Sequence, residues 1–308
     1  MKKIENVYLI GLGAIGGSYA ARLYDMNPAG IRIIADKERI KRYSQNPLSV
    51  NGKVYDFEFV GPGEKVLSPD LILVSVKYNN LMQAIKGIRN YVGENTIILS
   101  LMNGIDSEEI IGRELGIGNM LYSVCVAIDA VREGNGIRYS SFGRLDFGEK
   151  TNSTNSPRVE RLKELFDRAN IPYAVPEDMM RALWWKYMVN VGVNQVSAVL
   201  KATYGVFDRV TEARELMEEA MREVIALSAK VGTNLNENDL IEYRKVLRSL
   251  SPEGKTSMLQ DVEAGRKTEV EMFSGVVCEL GKKYGVETPV NRVLFKTIRS
   301  IEGMYLLN

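Results

Sequence analysis

The chain contains no histidine, and that absence removes at once the commonest general acid or base and the commonest metal ligand. Cysteine is nearly missing as well. Cys125 and Cys278 lie far apart in apolar surroundings with no Cys-x-x-Cys spacing, so neither a disulfide framework nor a zinc site is expected, and a reducing cytoplasm is the expected setting. Neither sign of charge is in excess: 40 Lys and Arg stand against 39 Asp and Glu, a formal net charge of +1. No sequence-wide field is therefore available for nucleic acid, and any bound anion must be met by a local site. No apolar run approaches the length of a membrane span, and the short one at the N-terminus leads straight into a glycine motif, so neither a membrane anchor nor a cleaved signal is expected.

What is present is material for globular structure: 308 residues, 45% hydrophobic and 26% charged, suffice for one large or two medium domains. Up to about residue 175 short apolar runs alternate with helical segments, the pattern of parallel βαβ units. Val7-Tyr8-Leu9-Ile10, Arg32-Ile33-Ile34-Ala35, Leu71-Ile72-Leu73-Val74 and Thr96-Ile97-Ile98-Leu99 read as strands buried on both faces. Ile137 to Phe147, punctuated by Gly136, Gly143 and Gly148, reads as a hairpin appended to that sheet. The polar stretch Thr151 to Pro157 reads as a loop ending at a helix start, and Ile171-Pro172-Tyr173-Ala174 as a closing strand. From Asp178 onward strand signals nearly vanish, and helical periodicities run over Glu212 to Lys230 and Met258 to Tyr284. The expected architecture is α/β, a doubly wound Rossmann sheet in residues 1–176 followed by an all-helical domain in 177–308.

Gly11-Leu12-Gly13-Ala14-Ile15-Gly16 follows the first strand and opens the first helix. In that setting the first glycine permits the tight turn, the second lets a pyrophosphate approach the backbone, and the third lets helix and strand pack. Asp36 ends the second strand about 20 residues further on, where an acid accepts hydrogen bonds from an adenine ribose. An acid there favours NAD, yet Lys37, Arg39 and Arg42 follow and can pair with a 2′-phosphate; the same charges also suit an ordinary helix start.

Carbonyl reduction by hydride transfer needs a proton donor, which here must be something other than histidine. Lys186, Asn190 and Asn194 recur at four-residue steps and form a polar stripe on an otherwise apolar helix. Desolvation against Trp and Met would disfavour the charged lysine and bring it toward acid–base work; the alternative is that it reaches solvent while the asparagines bond nearby backbone. Lys77 and Asn103 follow strands at their carboxyl ends, where ligands of parallel sheets bind, although Asn103-Gly104 is also an ordinary turn pair. Ser257 opens a helix, either as its N-cap or facing a ligand, and Glu269 is read as lying further along that helix.

These residues resemble those of the ketopantoate reductase (2-dehydropantoate 2-reductase) family, nearly end to end: the glycine loop, Val76-Lys77, Asn103-Gly104, Trp185-Lys186 with Asn190 and Asn194, Ser257-Met258-Leu259-Gln260-Asp261, Gly265-Arg266, Thr268-Glu269 and Thr288-Pro289-Val290-Asn291. The resemblance implies a helical domain like the C-terminal domain of 6-phosphogluconate dehydrogenase, NADPH as cofactor with NADH as the alternative, and a small ketoacid substrate; the helical domain has enough apolar face for a homodimer, which is the expected assembly. The resemblance also implies that Lys186 is the general acid, supported by Glu269. Asn190, Asn194 and Ser257 would hold the ketoacid, with Lys77 and Asn103 beside the nicotinamide ribose and the reacting carbonyl. Two departures stand out: Asp36 occupies the place where many members carry a base, and Val270 to Gly275 replaces the usual acid followed by Asn-Gly. A same-fold reductase of another 2-oxo or 3-hydroxy acid, and a dinucleotide sensor without catalysis, are the competing readings.

Overall fold

A computed structural model describes residues 2–64, 68–305 and 307. The chain forms two compact units, Met1–Ala182 and Leu183–Asn308. The boundary expected at 176/177 lies just before the helix Met179–Val189, which carries the division.

In the first unit the strands are β1 (Val7–Ile10), β2 (Ile31–Ile34), β3 (Leu48–Val50), β4 (Lys53–Tyr55), β5 (Glu58–Val60), β6 (Leu71–Val74), β7 (Ile97–Ser100), β8 (Met120–Val126), β9 (Val131–Glu133), β10 (Gly136–Arg138), β11 (Arg144–Gly148) and β12 (Tyr173–Ala174). The helices are α1 (Ala14–Met26), α2 (Lys37–Gln45), α3 (Leu81–Ile88), α4 (Ser107–Leu115) and α5 (Pro157–Arg168). The main sheet has the order β12-β11-β8-β7-β6-β1-β2-β5. From β5 to β8 every pairing is parallel, and every residue of β1, β6 and β7 is buried, as strands covered on both faces require. The chain winds outward through β1, β2 and β5, then returns to the other side of β1 with β6. The carboxyl ends of β1 and β6 therefore flank the point where the winding reverses.

The segment 137–147 departs from expectation. It is divided between two sheets instead of forming one hairpin: β9 and β10 pair antiparallel inside a second sheet of order β4-β3-β10-β9, whereas β11 joins the main sheet against β8. Gly143 makes the division possible, because a Cβ there would lie 2.1 Å from the Val126 carbonyl oxygen. Only a residue without a side chain lets the chain return so closely to the end of β8.

The second unit is helical, with α6 (Met179–Val189) entering it from the first, then α7 (Gln195–Leu200), α8 (Tyr204–Arg209), α9 (Thr211–Val231), α10 (Glu237–Ser249), α11 (Ser257–Glu263), α12 (Val276–Tyr284) and α13 (Pro289–Met304). Its centre is α9, whose Met217, Ala220, Met221, Val224 and Leu227 are buried. Two π-helical turns interrupt the α-helices, Asn190–Asn194 between α6 and α7 and Glu271–Gly275 ahead of α12. The first presses on α9 at Gly192, where a Cβ would come within 2.5 Å of Met221 and 2.8 Å of the Met217 carbonyl oxygen. The helix expected from Met258 to Tyr284 is broken. α11 ends at Glu263, and the N–H groups of Gly265 and Arg266 turn back onto the Val262 and Asp261 carbonyls, with Gly265 left-handed at φ +60°, a closed helix end that overrides the apolar periodicity.

Candidate active site

The glycine loop occupies the interval between β1 and α1. Gly11 has φ +104°, and a Cβ there would sit 2.1 Å from the Ser75 carbonyl oxygen at the end of β6. A Cβ on Gly16 would lie 2.1 Å from the Gly11 carbonyl oxygen, so α1 packs directly on the loop. Gly13 differs: a Cβ there would meet nothing within 4 Å. It caps α1 without a side-chain bond, and no acidic residue stands in the first turn. Open space ahead of uncapped N–H groups, with Leu12, Ala14 and Ile15 completing the loop, fits the pyrophosphate of a dinucleotide.

Asp36 is the N-cap of α2: its Oδ1 accepts the Arg39 N–H at 2.8 Å, and Arg39 Nε lies 3.5 Å from Oδ2. The end of β2 thus carries an acid already paired with a cation, which offers an acceptor to a ribose hydroxyl and a positive group to a phosphate. Arg42, the other nearby base, lies over the Tyr43 ring at 4.9 Å. Lys77 is exposed just after β6, and Asn103 is half-buried in the turn between β7 and α4. Tyr78 ties these two loops together, its hydroxyl donating to Asp106 Oδ2 at 2.6 Å. Neither Tyr78 nor Asp106 belongs to a motif, and sequence reasoning passed over both.

In the second unit Lys186 is half-buried on α6, while Asn190 and Asn194 are buried at the two ends of the first π turn. In an α-helix each four-residue step advances by about 40°, so three such residues fan out. The wider π turn takes more residues per revolution and draws Asn194 back toward the line of Lys186 and Asn190. Tyr187 joins this helix to the second π turn, its hydroxyl lying 3.1 Å from the Met272 carbonyl and 2.8 Å from that of Phe273. Glu269 precedes that turn and its carbonyl accepts the N–H groups of Met272 and Phe273. It stands in the link after α11, not on α11 as expected, because the helix closes at Gly265. Its neighbour Thr268 is fixed by Glu302, which accepts the Thr268 N–H at 2.7 Å and the hydroxyl at 2.6 Å.

Ser257 is not the cap of α11. Thr256 is, accepting the Leu259 N–H at 3.1 Å, so Ser257 is an exposed first-turn residue. Gln195, Ser274, Asn291 and Glu223 form a buried polar hub, of which only Asn291 belonged to a motif read in the sequence. Gln195 Nε2 donates to the Val191 carbonyl and to Asn291 Oδ1, Gln195 Oε1 accepts from Ser274, and Asn291 Nδ2 donates to Glu223 at 2.7 Å. Among the described residues no three His, Cys, Asp or Glu side chains gather to hold a metal, and no helix is long and apolar enough to cross a membrane.

Comparison with known proteins agrees with both halves. Residues 7–152 match the family described as ketopantoate reductase PanE/ApbA, and residues 178–302 match its C-terminal counterpart. The chain is 29% identical to a 2-dehydropantoate 2-reductase of Aquifex aeolicus over 304 residues, covering 96% of each, and 26% identical to one of Pyrococcus horikoshii, covering 97% and 98%. Among solved structures, the fold is shared with a PanE/ApbA family ketopantoate reductase of Ralstonia eutropha (TM-score 0.85, 22% identity, 98% and 99% covered). It is shared equally with D-mandelate dehydrogenase bound to NADH and anilino(oxo)acetate (TM-score 0.87, 20% identity, 98% and 99% covered). With family models matched over residues 7–152 and 178–302 and relatives aligned over nearly the whole chain, the chain belongs to the ketopantoate reductase family and is an NAD(P)H-dependent oxidoreductase.

Proposed function

We propose that this protein reduces 2-dehydropantoate to pantoate, a step of pantothenate biosynthesis, with NADPH as its cofactor and Lys186 as general acid. The observation that carries the reading is a half-buried Lys186 one α-helical step before Asn190 and Asn194, both buried at the ends of a π-helical turn, on a chain that has no histidine to serve instead. The reduced nicotinamide, when bound, supplies a hydride to the keto carbon. Lys186 delivers a proton from Nζ to the keto oxygen, so the carbonyl becomes a secondary alcohol and the lysine regains its proton from solvent. Glu269 supports Lys186. Asn190, Asn194 and Ser257 bond the carboxylate and hydroxyl of the ketoacid, and a buried amide that loses its ligand partner is costly, which gives the site its selectivity. Gly11, Gly13 and the first-turn N–H groups of α1 hold the pyrophosphate, Asp36 and Arg39 the adenine ribose, and Lys77 and Asn103 the nicotinamide side. The working enzyme in this reading is a homodimer.

Reduction of a different 2-oxo acid is the second reading, favoured by the unusual Val270 to Gly275 stretch beside Glu269. The test is the initial rate of cofactor oxidation with 2-dehydropantoate, run with NADPH and NADH at equal concentration. Turnover with NADPH ahead of NADH is expected; turnover of other 2-oxo acids but not of 2-dehydropantoate would replace the proposal with the second reading.

A further inference from the structure

The ladder between β7 and β8 ends at Leu99 and Leu121, and beyond it side chains join the strands. Ser123 Oγ donates to the Ser100 carbonyl at 2.6 Å, the Ser100 and Ser107 hydroxyls meet at 2.7 Å, Ser107 Oγ donates to Glu108 Oε2 at 2.8 Å, and Glu108 Oε1 accepts the Ser123 N–H at 3.4 Å. All four residues are at most 1% exposed. The Met102 N–H lies 3.4 Å from Ser100 Oγ, so this chain of hydroxyls ends on the turn that carries Asn103.

A carboxyl group is an expensive filler for such a gap. The titratable groups that face it are Asp106 in the preceding loop and Tyr122 on β8, with Glu109 and Lys150 next to Tyr122. Burial pushes Glu108 up to about 7 and Asp106 adds to the rise, against the hydrogen bonds from Ser107 and from the N–H groups of Glu108 and Ser123. The group therefore changes protonation near neutral pH.

We propose that Glu108 is a positioning residue for the nicotinamide half of the cofactor, holding the Asn103 turn through Ser107 and Ser100. The inference rests on the reading that Asn103 meets the nicotinamide ribose. With Glu108 ionised, every donor in the chain points the same way: Met102 N–H to Ser100, Ser100 to Ser107, Ser107 to Glu108. A protonated Glu108 donates to Ser107 instead, the hydroxyl chain reverses, and the Ser100 proton is turned away from Ser107, loosening the hold on Met102.

The test measures dissociation constants for NADPH and for the β-methyl ester of 2′-phospho-ADP, and in parallel for NADH and the β-methyl ester of ADP, fragments that lack the nicotinamide ribose, with wild type, Glu108→Gln and Glu108→Ala. The ratio of cofactor to fragment isolates the nicotinamide half and cancels titration of the 2′-phosphate. In wild type the cofactor's advantage over its fragment should be greater at about pH 8 than at about pH 6, on either side of the Glu108 transition. Glu108→Gln, which imitates the protonated carboxyl and keeps its shape, should be independent of pH at the wild-type low-pH ratio. Glu108→Ala should lose roughly tenfold of the advantage with fragment affinity unchanged. A Glu108→Gln ratio equal to that of wild type at about pH 8 as well as at about pH 6, whatever happens to melting temperature, overturns the inference while leaving the proposed function intact. Wild type that binds neither cofactor nor fragment overturns both.

Discussion

In the proposed function the two units would hold a ligand by different means. In the first, the expected contacts are backbone: Gly11 and Gly16 bring chain segments together and Gly13 leaves a gap in front of uncapped N–H groups. In the second they are side chains, Lys186, Asn190, Asn194 and Ser257, and side chains must be aimed. In that proposal the aiming falls to a π turn seated on α9 at Gly192, to Tyr187 bonded to the Met272 and Phe273 carbonyls, and to the Gln195, Ser274 and Asn291 hub. A backbone site is damaged by adding atoms, whereas a side-chain site is damaged by removing them.

That contrast can be broken by experiment. The largest effect belongs to Lys186→Ala, expected to lower kcat by about 10³-fold, within the usual range for a lost general acid, while cofactor affinity and melting temperature stay put. A rise in KM alone would recast the lysine as a binding group. Next come the glycines. Gly11→Ala places a methyl group on the Ser75 carbonyl at a left-handed φ and should cost about 3 kcal/mol of stability together with cofactor binding. Gly13→Ala should leave the melting curve unmoved and weaken cofactor binding only; if the two behave alike, the open space at Gly13 has no special role.

A third effect is pH-linked. Because the folded Glu108 titrates near 7, above its ordinary 4.5, the folded state binds more protons than the unfolded one between those values. Stability from this group therefore falls as pH rises through that window, leaving a cost on the order of 3 kcal/mol above it. Glu108→Gln should remove that slope, melting higher than wild type at alkaline pH relative to acid pH; parallel melting curves would deny the burial cost. The smallest test sets neighbours apart: Thr256→Ala should lose about 1 kcal/mol of stability as a missing helix cap, with KM unchanged, and Ser257→Ala the reverse.

What the sequence disclosed follows the same division. Strands such as Leu71 to Val74, and the glycine loop opening α1, are local patterns and stand where the reading put them. The hairpin expected over 137–147 and the helix expected through 258–284 were misread because one glycine in each, Gly143 and Gly265, redirects the chain while the surrounding apolar rhythm continues. Asp36 shows its capping bond only in three dimensions, although an acid ahead of Lys37-Glu38-Arg39 already had the form of a helix start. Glu108 was invisible for a plainer reason. Glu108 and Glu109 stand side by side in the first turn of α4, and nothing in the neighbouring residues distinguishes the acid that is buried from the one left exposed.

The π turn at Asn190–Asn194 also bears on chain length. Such a turn accommodates one residue beyond what a continuous α-helix needs for the same rise, while the helices on either side keep their phase. Shortening the chain by Val191 would therefore let α6 run into α7 as one uninterrupted helix, with Tyr187 and Gln195 still on their present faces and the fold standing. What would vanish is the outward swell of backbone that seats Gly192 on α9 and sets the spacing of the two asparagines. In this helix the number of residues, as much as their identity, determines what a ligand would meet.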